Sequence, residues 1–120
     1  MLILKIIFAI FFIYAGIIHF IKPSFFKHFI PNGLPKLMIN YIVGIIEFSL
    51  GIGLFFPQAV SYTAFGILIL LILFLPIHVW DATKERPAIG SKIFAYIRIP
   101  LQFLLMYGAY LIYQDSLLII

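Results

Sequence analysis

Five polar side chains that lie within long apolar runs of the sequence can take part in acid–base or binding chemistry. They are His19, Glu47, His78, Arg98 and Gln102. A carboxyl group and an imidazole ring give and accept protons, and a guanidinium group binds anionic or carbonyl oxygens. We therefore expect a polar pocket that suits the head group of a quinone, the head group of a lipid, or a small metabolite.

The elements that must position these residues are four long apolar runs. Crossing a hydrocarbon core of about 30 Å takes roughly 20 apolar residues in a helix. The runs predict helices at 2–21, 37–56, 62–80 and 93–113. With a mean hydropathy of +1.21, 65% hydrophobic residues and 10% charged residues, a water-soluble monomer is excluded. The sequence predicts an all-α fold, a single integral membrane four-helix bundle spanning residues 1–120.

The five side chains are expected to lie in the same half of this bundle. Glu47 and Gln102 each lie about 15 Å into their helices from the same side, with Arg98 one turn shallower than Gln102. His19 and His78 lie near the matching ends of the first and third helices. Ionisable groups inside a membrane are costly and normally find partners. All four helices thus contribute a polar residue to one region.

The second helix has a face of small and polar residues that holds Glu47 away from lipid. Asn40, Gly44, Glu47 and Gly51 follow the spacing of one helical face. Because glycines let a neighbouring helix approach closely, Gly44 and Gly51 are predicted to pack against another helix.

A purely structural interpretation of the same residues stays open. Arg98 can neutralise Glu47 as an interhelical ion pair that fixes the register of the helices, without any chemistry. Pro76 and Pro100 then act as helix kinks whose freed carbonyl groups are bonded by neighbours. No metal site is predicted, because no helix carries a His-x-x-x-His or a Glu-x-x-His pair and the chain has no Cys.

The connections at the two ends of the helices differ in charge. The stretch 22–36 is too rich in proline for a spanning helix and too aromatic for a solvated loop, so we expect it along the membrane interface. The stretches 22–36 and 81–92 contain six of the eight Lys and Arg residues, which places them in the cytoplasm. Lys5 lies on the opposite side and is a competing signal for the orientation in the membrane. Nucleic acid is not expected as a partner, because the basic residues lie between apolar runs.

Several motifs resemble those of the DoxX-like family of small membrane proteins. They are Tyr-Ala-Gly-Ile-Ile-His-Phe at 14–20, Gly-Ile-Ile-Glu at 44–47 and Arg-Ile-Pro-Leu-Gln at 98–102. Leu75-Pro76-Ile77-His78 departs from the family's Phe-Pro-Ala-Asn, which keeps a polar residue but changes its type. The resemblance covers all four helices and implies a protein of the bacterial inner membrane. Some DoxX-like proteins are subunits linked to quinone-dependent oxidation of sulfur compounds or to oxidative-stress complexes.

Three functions are compatible with these observations. The preferred one is an accessory or ligand-binding subunit, linked to quinone-dependent redox metabolism, whose partners are membrane lipid and redox proteins. A homo-oligomer formed through a small-residue face is a further expectation. No cofactor motif is present, and a quinone or lipid is the expected ligand. The alternatives are a stand-alone enzyme that modifies a lipid by proton transfer through Glu47, and a structural scaffold.

Overall fold

A computed structural model describes residues 1–118, and its regular structure is helical throughout. The four α-helices are α1 (Leu2–Ile21), α2 (Lys36–Gly53), α3 (Val60–Ala82) and α4 (Lys92–Leu117). Two 3-10 turns, Pro23–Phe25 and Lys27–Phe29, follow α1. The prediction of an all-α fold with four long helices is confirmed. Residues 119 and 120, the last two of the predicted domain, lie outside the described residues.

The helix ends differ from the predicted ones where a local signal decides them. The α2 helix ends at Gly53 instead of residue 56. Tight turns follow it, in which the N–H groups of Phe55 and Phe56 donate to the carbonyls of Ile52 and Gly53, and Phe56 precedes Pro57, a position that disfavours the helical region. The α4 helix continues to Leu117, beyond the predicted residue 113, because nothing in 114–117 breaks a helix. Its start is fixed by Ser91, whose Oγ accepts the backbone N–H of Phe94 at 3.2 Å.

The four helices are arranged as two tightly packed hairpins. The α1 helix packs along α2 and the α3 helix packs along α4, whereas α2 meets α3, and α1 meets α4, over much shorter stretches. Short connections make consecutive helices antiparallel neighbours. The 22–35 and 83–91 connections therefore lie at one end of the helices, called here the loop end.

Glycines allow α1 and α2 to approach each other closely. A Cβ atom added to Gly16 would lie 2.8 Å from the carbonyl oxygen of Gly44, and one added to Gly51 would lie 2.8 Å from the backbone nitrogen of Ile13. The buried residues of α2 are Asn40, Gly44, Glu47 and Gly51. The structure thus places all four residues of the predicted face on the side of α2 that packs in the protein.

An apolar core joins the two hairpins towards the end opposite the loops. Phe8 and Phe12 of α1 pack with Ile67 of α3 and Ile112 of α4. Gly108 makes room for the ring of Phe8, because a Cβ atom there would lie 2.7 Å from Phe8 Cζ. This apolar core packs α1 against α4.

The outward faces of the helices are apolar. Ile3 is 75% exposed, Tyr62 82% and Leu104 64%, while Glu47 and Gln102 are buried. An apolar exterior around buried polar groups is the reverse of a soluble protein and suits a lipid environment. All four helices are long and apolar enough to cross a membrane. This agrees with the prediction of a membrane protein.

Both prolines lie inside helices that continue through them. Pro76 lies in α3 and Pro100 in α4. Pro76 cannot donate to the carbonyl of Ile72, one turn earlier. Gln102 of α4 donates a hydrogen bond to the carbonyl of the preceding residue, Leu71. The structure therefore places an interhelical hydrogen bond next to the turn that Pro76 weakens.

Candidate functional site

A cluster of three buried polar side chains lies between α1 and α2 near the loop end. His19, Asn40 and Glu47 are each no more than 6% exposed. Asn40 Nδ2 donates to the backbone carbonyl of His19 at 2.6 Å, and Asn40 Oδ1 lies 2.6 Å from His19 Nδ1. These two hydrogen bonds join the end of α1 to the start of α2.

The hydrogen bonds of Asn40 define which nitrogen of His19 carries a proton. A carbonyl oxygen only accepts, so the atom of Asn40 that faces the His19 carbonyl is the amide nitrogen. The other atom is then Oδ1, which also only accepts, so His19 Nδ1 must donate. In a neutral ring this leaves the lone pair on Nε2, the nitrogen that faces Glu47.

Glu47 is the ion-pairing neighbour of His19. Its Oε1 lies 3.6 Å from His19 Nε2. Side chains lean towards the N-terminus of their own helix, so Glu47 leans towards the loop end and His19 leans away from it. The two groups meet between these levels. A carboxylate beside an imidazolium and a carboxyl group beside a neutral imidazole both leave the pair with no net charge, which lowers the cost of burying it.

The ring of Phe26 covers the ring of His19. The ring centroids are 3.8 Å apart and the planes differ by 12°. Phe26 lies between the two 3-10 turns, where the chain turns back towards α2. The proline-rich stretch predicted to lie at the membrane interface therefore packs over the end of α1 and shields the His19–Glu47 pair.

A second cluster lies between α3 and α4. Gln102 is fully buried, and its Nε2 donates to the carbonyl of Leu71 at 2.6 Å. Arg98 lies one turn nearer the loop end on the same face of α4. His78 of α3 lies one turn before Asp81, near the loop end of that helix. The edge of the Phe29 ring faces His78, with 5.8 Å between the ring centroids.

The structure thus divides the five predicted residues between the hairpins. His19 and Glu47 contact each other, and His78, Arg98 and Gln102 belong to the second cluster. The interhelical pair expected between Glu47 and Arg98 is not formed in residues 1–118, where Glu47 pairs with His19. The α1–α2 connection touches both clusters, through Phe26 over His19 and Phe29 against His78.

Asp81 has a structural role that the sequence analysis missed. The sequence predicts that the third helix ends at residue 80 and that Asp81 opens the 81–92 connection, whereas Asp81 is 1% exposed in the last turn of α3. Its carboxylate accepts the backbone N–H groups of Ala88 at 2.7 Å and Ile89 at 3.3 Å. No spacing in the sequence indicates this role, because the backbone groups that Asp81 accepts lie seven and eight residues further along the chain.

Lys84 joins the two connections at the loop end. Its Nζ lies 3.3 Å from Asp81 Oδ1, 3.9 Å from the centre of the Trp80 ring, and donates to the His28 carbonyl at 2.6 Å. The ammonium group of Lys84 is attracted to the face of the Trp80 ring and to the carboxylate of Asp81. Lys84 therefore holds the α1–α2 connection against the end of α3.

A cavity lies at the end of the helices opposite the polar clusters. Apolar residues of α1 and of the 54–60 region line it, with Lys5 as its polar side chain. Neither cluster contributes a lining residue. Because binding chemistry requires converging polar groups, we assign the candidate site to the two clusters at the loop end.

Fold and site together define a small helical protein with four helices of membrane-spanning length and polar groups buried between them. Residues 8–113 match a family described as Domain of unknown function (DUF8561), and the chain belongs to this family. The match includes both polar clusters. No match is found among curated proteins or among solved structures. The resemblance to DoxX-like proteins stays a prediction.

Proposed function

We propose that this chain is an integral membrane protein that binds a lipid-soluble molecule by its polar head group. It works as a ligand-binding or accessory subunit, and the His19–Glu47 pair exchanges a proton with the bound head group. The observation that carries this proposal is the orientation of His19. Asn40 holds Nδ1 as a donor, so Nε2 and the Glu47 carboxyl group face each other and either of them can hold the exchangeable proton.

The physical argument starts from the cost of burying ionisable groups. Replacing a buried ion pair by apolar residues is often neutral or stabilising, so packing alone does not require such a pair. An ionisable group retained inside a membrane segment therefore points to function. The 3.6 Å separation exceeds a hydrogen bond, so Nε2 and Oε1 each keep capacity for a further partner.

The ligand class follows from the surroundings of the pair. The head group must be small and polar, and its tail must suit the apolar exterior of the helices, which fits a quinone or a lipid. The resemblance to DoxX-like proteins supports a link to quinone-dependent redox metabolism with redox proteins as partners. A homo-oligomer would use a surface other than the glycine face of α2, because α1 occupies that face.

Extraction of the protein in a mild detergent tests the proposal. We expect mass spectrometry to find a quinone or lipid retained by the wild type and lost from Glu47→Gln, which removes the exchangeable proton at nearly constant volume. The matched control is Glu85→Gln, which changes an exposed carboxylate of the 83–91 connection and should retain the molecule.

Equal retention by all three proteins would contradict a role of Glu47 in binding. If no small molecule is retained and partner proteins co-purify equally with all three, the His19–Glu47 pair only stabilises the fold and the chain is a structural subunit.

A second candidate function is proton transfer to and from a lipid by the chain alone. The same acid–base pair favours it, because an isomerisation needs one group to remove a proton and another to return it. Incubation with membrane lipid in deuterated water separates the two functions. An enzyme incorporates deuterium into carbon positions of the lipid, and Glu47→Gln abolishes this, whereas a binding protein leaves the lipid unlabelled.

We place the protein in the bacterial inner membrane with the loop end in the cytoplasm. The excess of Lys and Arg in 22–36 and 81–92 supports this orientation. Because the chain has no Cys, single cysteines report the topology cleanly. In intact cells, a membrane-impermeant maleimide should label Gln58→Cys and not Ser24→Cys. Labelling of Ser24→Cys alone would show the opposite orientation.

A further inference from the structure

The α3–α4 hairpin contains a buried donor and a buried acceptor without partners. Within residues 1–118, Nη1 of Arg98 and Oε1 of Gln102 make no hydrogen bond. The two residues are one helical turn apart on the same face of α4, so their side chains are neighbours. Buried polar atoms are nearly always paired, and those that are not call for a missing partner.

The amide of Gln102 has one possible orientation. The carbonyl of Leu71, 2.6 Å away, only accepts a hydrogen bond, so the atom facing it is Nε2. Oε1 is therefore held on the other side of the amide as an acceptor. Because Gln102 is 0% exposed, bulk water does not reach this acceptor.

The two free atoms together select one kind of chemical group. A carbonyl or a carboxylate accepts from Arg98 but brings its lone pairs against Oε1 of Gln102. An ammonium group donates to Gln102 but is repelled by the guanidinium. A hydroxyl group, like a water molecule, accepts and donates at once, so it satisfies both atoms.

We propose that Arg98 and Gln102 bind the hydroxyl group of a lipid-soluble molecule. This inference rests on the proposed ligand-binding function and narrows the ligand to hydroxyl-bearing molecules. The hydroxyl can belong to the aromatic ring of a hydroquinone or to an aliphatic lipid head group, which offer the same hydrogen bonds. Quinones themselves, which carry carbonyl groups, are bound less well.

The placement of the two residues gives the site an open and a closed side. Arg98 is partly exposed and lies nearer the loop end, whereas Gln102 is fully buried deeper along α4. A hydroxyl group therefore reaches Gln102 by passing Arg98. His78 and the ring of Phe29, which contact each other, lie near the loop end of α3.

Two matched pairs of probes test the inference on the purified protein in detergent. One pair is a benzoquinone with a decyl tail and its hydroquinone, kept reduced without oxygen. The other pair is dodecanol and dodecyl methyl ether. Within each pair only one member carries a hydroxyl donor, so titration calorimetry measures how much a hydroxyl donor contributes to the binding affinity.

We expect the hydroxyl form of at least one pair to bind the wild type about tenfold more tightly than its partner, the effect of one additional hydrogen bond. Preference within the quinone pair alone identifies a hydroquinone as the source of the hydroxyl, and preference within the alcohol pair alone identifies a lipid head group. Gln102→Met should abolish the preference. Gln114→Met, on the exposed side of α4, should preserve it.

The outcomes separate this inference from the proposed function. Equal binding of the hydroxyl and non-hydroxyl forms by the wild type overturns the inference and indicates that an ordered water completes both hydrogen bonds. The proposed ligand-binding function is not contradicted by that result. A preference that survives in Gln102→Met also overturns it. Absence of binding of all four probes overturns the inference and the proposed ligand class together. The comparison of probes on the wild type tests the inference even if Gln102→Met does not fold.

Discussion

Replacement of Asn40 by Ala should destabilise the protein by about 2–4 kcal/mol. The substitution removes two hydrogen bonds of 2.6 Å between α1 and α2. It also leaves the Nδ1–H group and the backbone carbonyl of His19 without partners in a buried position, and each stranded group costs about 1–3 kcal/mol. The measurement is the free energy of unfolding in mixed detergent micelles, followed by circular dichroism.

Asn32→Ala is the matched control for this substitution. Asn32 is exposed in the α1–α2 connection, so its loss should change the free energy of unfolding by less than about 0.5 kcal/mol. An equally small effect of Asn40→Ala would show that the Asn40–His19 contacts do not hold the two helices together. The orientation assigned to His19 would then lose its support.

Replacement of Gly51 by Ala should destabilise the α1–α2 hairpin by about 1–2 kcal/mol, although alanine favours helices. The added Cβ would lie 2.8 Å from the backbone nitrogen of Ile13 and 2.9 Å from the carbonyl oxygen of Ala9. Backbone atoms cannot move aside as a flexible side chain can, so α1 and α2 must separate. The same unfolding measurement applies.

Gly66→Ala provides the control on a helix without close backbone contact. There the nearest atom to an added Cβ is Leu50 Cδ2 at 3.1 Å, the end of a flexible side chain. We expect stability equal to or above that of the wild type. A Gly51→Ala variant as stable as Gly66→Ala would contradict the close backbone approach of α1 and α2.

The helices were predictable because their lengths and compositions are dictated by the apolar runs. The face of α2 was predictable as well, since the helical period fixes which residues lie together whatever the neighbour is. The helix ends were less so. The α2 helix ends before Pro57 by local backbone sterics, and α4 continues because 114–117 contains no residue that breaks a helix.

The partners of the polar side chains were not predictable from depth alone. Glu47 and Arg98 are an acidic and a basic residue in the same half of the bundle, but each packs within its own hairpin. The contact between Glu47 and His19 depends on the register of α1 against α2, which the close approach of Gly16 and Gly44 sets. Asn40 then decides which nitrogen of His19 faces the carboxyl group, a detail that no spacing rule contains.

Infrared difference spectroscopy of the carboxyl groups tests the central claim most directly. Spectra are recorded in lipid nanodiscs with and without the decyl-tailed quinone and its hydroquinone. If the His19–Glu47 pair exchanges a proton with the bound head group, the carbonyl band of a protonated carboxyl group changes on binding in the wild type and in Glu85→Gln, and this change is absent from Glu47→Gln. A band change that is the same in the wild type and Glu47→Gln would contradict the claim.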